Sequence, residues 1–180
     1  MDRLPSWIII QINLYRMNLE RSERFGHIVN CRFSNNDRFI VETNRDRFIF
    51  WMDMQQNCCE HFGWFVYWTG SDHSRCFHCN QIDDISGSLV TGFQSKDGHE
   101  LTIPAFDVAV APAELTCQCA ADARGSGGRD GDGNDCYMFQ LNLDRGGSIN
   151  FFAWNCHNGY YSHEVGLKSD SGSVDWQVGI

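Results

Sequence analysis

The sequence predicts a mainly β fold: an antiparallel sheet, a sandwich or an open barrel, with at most one or two short helices. Short runs rich in β-branched and aromatic residues recur along the chain, and turn residues separate them at short intervals. Helical spacing of apolar residues is nearly absent. Seven or more short strands arranged in this way are typical of antiparallel architectures.

The 180 residues, of which 42% are hydrophobic, are enough to bury a core, and the length favours one β-rich domain over residues 1–180. Two stretches are predicted to be loop insertions. The polar, cysteine-bearing segment at about 69–84 is one, and the Gly/Asp-rich segment at about 121–135 is the other.

The first elements in chain order are a short helix and a hairpin. Residues 14–26 have a partial apolar stripe and end in glycine, which predicts a short helix closed at Gly26. The runs "RFIVET" (38–43) and "RFIFWMD" (47–53) are separated by turn residues and predict two paired strands.

Six further strands are predicted downstream. The run that contains Pro104 is expected at a sheet edge or a bulge, because proline cannot donate to a strand ladder. The strands on either side of "RGG" are expected to form a second hairpin. The six runs are residues 62–68, 88–94, 100–111, 136–144, 148–155 and 159–167.

The formal net charge of −9 is unevenly placed. Residues 1–47 carry eight arginines and six acidic residues, whereas residues 48–180 carry six basic and 17 acidic residues. Because an acidic body repels phosphate backbones, nucleic acid is an unlikely partner. A protein partner or a small ligand is expected instead, and exposed strand edges make a homo-oligomer conceivable.

The nine cysteines are an odd number, so at least one thiol stays unpaired or pairs between chains. The apolar run "SWIIIQI" is too short to span a membrane, and it lacks the features of a signal peptide. These observations favour a reducing, cytoplasmic setting in which cysteines are thiols or metal ligands. No association with a membrane is expected.

Three motifs resemble a family of small uncharacterised proteins from phages and bacteria, a domain of unknown function. They are "NCCE" (57–60), "DDISGSL" (83–89) and "NGYYSHEV" (158–165). The resemblance covers roughly residues 45–168. It implies a related fold and a phage or bacterial setting, in the cytoplasm of a bacterial host or in a virion, and it implies no reaction.

The stretch "NCCEH" allows three interpretations. Cys58 or Cys59 could be a nucleophile with His61 as its base, although the neighbouring Glu60 would raise the pKa of a thiol. The stretch could also bind a ligand through Glu60, or it could be a strand end whose cysteines fill a small apolar space.

The stretch "HSRCFHC" is the better candidate for a metal site. Cys76 and Cys79 have the C-x-x-C spacing with which two thiolates hold one tetrahedral ion, and Cys117 and Cys119 could complete a four-thiolate zinc site. If Cys117 and Cys119 lie on a strand, however, their sulfurs would be about 7 Å apart, farther than one ion prefers. Disulfides such as Cys76–Cys79 or Cys119–Cys136 are the alternative, as are unlinked thiols.

A Tyr-His surface is the third candidate site. The pair Asn158-Gly159 favours a tight hairpin turn, and the aromatic residues after it could bind a planar ligand or a partner beside an upstream tryptophan. The residues expected there are Trp154, Asn158, Tyr160, Tyr161 and His163.

The sequence therefore predicts a non-catalytic binding or interaction module of unknown ligand, and the resemblance implies that it could be a phage accessory protein. The alternative is a structural domain stabilised by zinc. A cysteine-dependent hydrolase that uses Cys58 or Cys59 with His61 is a further hypothesis, although the commonest enzyme motifs are missing from the sequence.

Overall fold

The fold consists of two five-stranded antiparallel sheets packed face to face, which confirms the mainly β prediction. The computed structural model describes residues 23–55, 61–80, 82, 85–97, 115–119, 121–122, 133–157 and 162–180. No helix in these ranges is both long enough and apolar enough to cross a membrane.

Sheet I has the strand order β1-β2-β3-β9-β10. Its central hairpin agrees with the sequence prediction, since β2 and β3 pair in antiparallel register around the turn at residues 44–46. The strands are β1 (Ile28–Ser34), β2 (Arg38–Thr43), β3 (Arg47–Met52), β9 (Glu164–Ser169) and β10 (Asp175–Gly179).

Sheet II has the strand order β5-β4-β8-β7-β6. The predicted hairpin around "RGG" is present, because β7 and β8 pair along most of their length. The strands are β4 (His61–Thr69), β5 (Ser74–Cys76), β6 (Val90–Asp97), β7 (Gly133–Leu143) and β8 (Ser148–His157).

The central core lies between the two sheets and is mostly aromatic and branched aliphatic. Phe50 of sheet I stacks on Phe151 of sheet II, with 5.6 Å between the ring centroids. Both side chains are fully buried. Burying each such side chain contributes roughly 1.5–3 kcal/mol relative to leaving it exposed, so this layer supplies most of the driving force for folding.

Sheet II is buried on both faces, which explains the nearly continuous apolar runs of its middle strands. The residues from Gly63 to Tyr67 in β4 are all buried. A second cluster covers the face of the sheet that points away from the central core. We call it the outer cluster, and its buried members are Phe65, Tyr67, Cys76, Leu115, Cys136, Met138, Phe152 and Trp154.

The boundaries of both predicted insertions need correction. The segment at 69–84 is not wholly a loop, because it contains the short strand β5, which pairs with β4. The segment at 121–135 overlaps an ordered strand, since β7 begins at Gly133, and residues 121–122 are helical. Residues 123–132 lie outside the described residues.

The other differences concern the ends of the sheets. The predicted strand at 100–111 and most of the predicted helix at 14–26 lie outside the described residues. The described end of that helix is one 3-10 turn (Glu23–Phe25), closed by Gly26 at φ +81°. The predicted strand at 159–167 begins only at Glu164, and β1 and β10 were not predicted.

Candidate metal centre

The first arm of the site is a tight turn at the end of β5. This strand pairs with β4 through Cys76 and Tyr67, and the chain then turns back on itself. The backbone N–H groups of Cys79 and Asn80 donate to the carbonyl oxygen of Cys76 at 3.3 and 3.1 Å. The turn therefore brings the two sulfurs of the C-x-x-C motif to the same side.

The same turn places a hydrogen-bond donor at one of the sulfurs. The backbone N–H of His78 donates to the thiol sulfur of Cys76. Such a bond favours the thiolate form, which is the form that binds metal. The His78 ring itself packs against Phe33 and Trp64, with centroid distances of 4.1 and 5.3 Å.

The second arm is a helical turn, so the strand spacing considered for Cys117 and Cys119 does not apply. The backbone N–H of Ala121 donates to the carbonyl of Cys117 at 3.0 Å, an i to i−4 bond of α-helical type. The side-chain amide of Gln118 also donates to Asp122 at 2.6 Å. Because the chain coils here, the two sulfurs need not be separated by a strand's repeat of about 7 Å.

The two arms bring four sulfurs together. The Sγ atoms of Cys76, Cys79, Cys117 and Cys119 all lie within 4.8 Å of one another. Four sulfurs around one tetrahedral ion at a metal–sulfur distance of 2.3 Å would be about 3.8 Å apart. The arrangement therefore needs only a small contraction to hold an ion, and these four cysteines could hold a metal.

The site is closed on its inner side and reachable from outside. Cys76 is 1% exposed, Cys79 is exposed, and Cys117 and Cys119 are half-buried. All four are thiols without disulfide links. Among the described residues this is the one group of His, Cys, Asp and Glu side chains with metal-ligand geometry.

The electrostatics of the cluster favour neutral thiols until a cation arrives. Burial raises the pKa of Cys76, and the nearby Cys117 and Cys119 raise it further. Burial likewise raises the pKa of Cys119, as do its neighbours Cys79 and Cys117. A divalent cation reverses this balance, because each thiolate then faces a positive charge at bonding distance.

The cluster also fixes a covering segment onto sheet II. Leu115 is 3% exposed and belongs to the outer cluster, and Cys117 and Cys119 pack against that cluster from above. We call residues 115–122 the strap. An ion at the four sulfurs would therefore join the strap to the turn after β5 and hold it over the outer face of sheet II.

Most of the other predicted site residues lie outside the described part of the chain. Cys58, Cys59, Glu60, Asn158, Tyr160 and Tyr161 lie outside the described residues. His61 is the first residue of β4 and is exposed. Its relationship to the two cysteines therefore stays a prediction.

Trp154 and His163 are both buried, on different sides of sheet II. Trp154 is 5% exposed and belongs to the outer cluster. His163 is 1% exposed; its ring stacks on Phe62, which packs against the central core, and its Nδ1 lies 2.8 Å from the carbonyl oxygen of Asp53. These two side chains do not share the exposed surface that the sequence suggested.

Two contributors to the site were missed at the sequence level. Leu115 anchors the strap, and the backbone of His78 donates to a ligand sulfur. The "AEL" that precedes "TCQC" is a usable pointer to the first, because an apolar residue next to a cysteine pair indicates an anchoring contact. The second contributor could also have been expected, because a tight C-x-x-C turn points backbone N–H groups toward the sulfur of its first cysteine.

Comparison with known proteins leaves this site to be interpreted from its own geometry. A scan against protein-family models, a search of curated proteins and a search of solved structures each found no match.

Proposed function

We propose that Cys76, Cys79, Cys117 and Cys119 bind one zinc ion and that the chain is a zinc-stabilised β-sandwich in which the metal serves structure rather than catalysis. The observation that carries this proposal is the mutual distance of no more than 4.8 Å among four sulfurs from two separate segments of the chain. Four cysteines gathered at such distances are the ligand set of structural zinc sites.

The donor set supports zinc over harder metals. Thiolates select soft or borderline ions, and a tetrahedral set of four sulfurs is typical of zinc or iron. Magnesium and calcium require oxygen ligands, and the four-cysteine group offers none. Zinc is therefore the first metal to test, and iron is the alternative outcome.

The number of ligands supports a structural role. Catalytic zinc sites keep a coordination position open for water or substrate, whereas four cysteines fill the tetrahedron. The position of the site agrees with this, since it ties the strap to the turn after β5 over a buried apolar face. The metal would thus stabilise the strap over this face of sheet II.

Native mass spectrometry of the purified chain without reductant tests the proposal. We expect a native mass larger than the apo mass by one zinc, and the excess should disappear after denaturation. Cys79→Ser should abolish it, whereas Cys31→Ser should retain it, because Cys31 lies on β1 away from the cluster. An apo mass under zinc-replete conditions, or a denatured mass two hydrogens lighter per bridge, would contradict the proposal.

For the activity of the domain we retain the hypothesis of a non-catalytic interaction module. It is supported by a trough beside the metal centre in which exposed apolar side chains lie near Asp53 and Glu164, two carboxylates that have no salt-bridge partner among the described residues.

A further inference from the structure

Two neighbouring pockets form a trough along the β1–β2 turn. The first pocket has a volume of about 450 Å³ and lies between β4 and the strap, where Trp64, His78 and Asp122 line it. The second has a volume of about 680 Å³ and lies beside the end of β3 and the start of β9. Asn35, Asn36 and Met54 line both pockets, so the two adjoin each other.

The trough contains exposed apolar surface. Four large hydrophobic side chains among the described residues are exposed, and two of them, Phe33 (36%) and Met54 (38%), line this trough. Phe33 is held in place by contacts to His78 and Trp64. Rigid apolar side chains at the floor of a groove are typical of sites that receive an apolar side chain from a partner.

An unused hydrogen-bond donor lies in the wall of the first pocket. Trp154 is 5% exposed, and its indole N–H has no acceptor among the described residues. Buried polar groups are normally paired, so this donor would be satisfied by an acceptor that an occupant brings.

The charged side chains that line the trough are mostly negative. Four carboxylates line it, and the one lysine or arginine among its lining residues, Arg38, pairs with a carboxylate at 3.3 Å. In the described part of the chain, Asp53 and Glu164 have no salt-bridge partner, and the backbone N–H of Asp53 donates to the carbonyl of Glu164 at 2.8 Å. The lining carboxylates are Asp37, Asp53, Asp122 and Glu164.

We propose that this trough is a docking site for an extended basic segment of a partner protein, with an apolar side chain over Phe33 and Met54 and a flanking arginine or lysine at Asp53 and Glu164. Charge complementarity selects this occupant over an anionic one, since the protein as a whole carries −9 and Asp53 and Glu164 have no salt-bridge partner among the described residues. The proposal goes beyond the zinc site and is measured separately from it.

Fluorescence anisotropy with short labelled peptides tests the docking site on the full chain. The probes are the peptide amides Gly-Arg-Phe-Arg-Gly, Gly-Arg-Gly-Arg-Gly and Gly-Glu-Phe-Glu-Gly, each titrated at low and high salt. We expect the first to bind best, the second to bind less tightly, and the third not to bind. Binding of the first should weaken as salt rises.

Two matched double variants distinguish the effect of the trough's own charges on peptide binding from the effect of the net charge of the protein. Asp53→Asn/Glu164→Gln should weaken binding of the first peptide about fivefold, the effect of losing two exposed ion pairs. Asp72→Asn/Asp175→Asn makes the same change in net charge at exposed positions outside the trough and should leave binding unchanged. Met54→Gln should weaken binding of the first peptide but not of the second.

Three results would overturn the proposal: no saturable binding of the first peptide, equal binding of the acidic peptide, or equal losses in the two double variants. A fourth such result would come from analytical ultracentrifugation of the chain without peptide, which measures its oligomeric state. A dimer that dissociates in Asp53→Asn/Glu164→Gln would make a second copy the occupant. Asp53 and Glu164 lie in the second pocket, which no residue of the strap lines, so the comparison of the two double variants is distinguishable from a failure of the zinc proposal.

Discussion

Gly63 lies directly against the indole ring of Trp154, in the cross-strand pair that joins β4 to β8. A Cβ atom at Gly63 would lie 2.6 Å from Cζ2 and 2.8 Å from Cη2 of that ring. Both distances are far below van der Waals contact, and the ring is buried in the outer cluster. The absence of a side chain at residue 63 thus sets the position of the tryptophan.

We therefore predict that Gly63→Ala destabilises the fold by about 1–3 kcal/mol, the usual effect of overpacking a core. Urea unfolding followed by circular dichroism measures the change. Gly92→Ala is the matched control, since Gly92 also lies in a strand of sheet II but a Cβ there would meet nothing within 4 Å. An equal effect in both variants would show that strand propensity, not the contact with Trp154, decides the outcome.

A second prediction concerns Asp46, which joins two turns of sheet I. Partial burial acts to raise the pKa of this carboxyl, but hydrogen bonds from the side chain and backbone of Ser171 and from the backbone of Arg47 outweigh it and lower the pKa. The folded state therefore binds this proton less tightly than the unfolded state does. The resulting stabilisation is complete above the unfolded pKa of about 3.9 and is lost as the pH falls through the folded pKa.

Asp46→Asn should accordingly be less stable than the unmodified chain at pH 7, and the difference should shrink below about pH 4. Urea midpoints at pH 7 and pH 3 test this. Loss of metal at low pH affects both proteins and cancels in the difference. Asp175→Asn, at an exposed position on β10, is the control, and a pH-dependent difference of the same size there would refute the assignment to Asp46.

The strands that the sequence predicts are those with buried faces. The hairpin of β2 and β3 and the middle strands of sheet II carry dense apolar runs, because one or both of their faces are covered. The edge strands β1 and β10 were missed for the converse reason. Most of their residues are exposed or half-buried, so their sequences lack the alternation that marks a strand.

The candidate metal centre was predictable in its residues but not in its geometry. The C-x-x-C spacing of Cys76 and Cys79 is a local property of a turn, so the sequence predicts that their sulfurs lie close together. The local conformation of Cys117 and Cys119 is not predictable in this way, because a short apolar-polar alternation does not distinguish a strand from one helical turn. Their approach to the turn after β5 depends on how the strap crosses sheet II, which is tertiary information.

The same limit explains the outcome for Trp154 and His163. Sequence position shows that two residues are near in the chain, but not which face of a sheet each one occupies after a turn. Trp154 lies in the outer cluster, and His163 stacks on Phe62 at the edge of the central core.

Removal of metal provides a third prediction. If zinc is present at about a thousand times its dissociation constant, its binding stabilises the fold by about 4 kcal/mol. For a chain of this size each kcal/mol corresponds to about 2–4 °C, so a chelator should lower the melting temperature by roughly 10 °C. Differential scanning calorimetry with and without chelator measures the shift.

Cys79→Ser is the control for this experiment. Because the variant lacks one ligand, it should already melt near the chelated temperature and should respond little to the chelator. Cys31→Ser should respond as the unmodified chain does. A melting temperature that is insensitive to the chelator in every protein would contradict a stabilising metal.

The final prediction concerns the coupling between the strap and the metal. Leu115 is 3% exposed and packs in the outer cluster, against which two of the four cysteines also pack, so we expect it to position their sulfurs. Leu115→Ala should lower the stability by about 2–3 kcal/mol and should also weaken zinc binding. Without the leucine anchor, part of the conformational entropy lost in ordering the strap would be lost only when the ion binds, which reduces the affinity.

Leu143→Ala is the matched control, since Leu143 is 6% exposed and belongs to the central core rather than to the outer cluster. It should destabilise the fold by a similar amount and leave zinc affinity unchanged, as measured by competition with a chromophoric chelator. Equal zinc affinities in the two variants would show that the four sulfurs are organised by the turn after β5 alone.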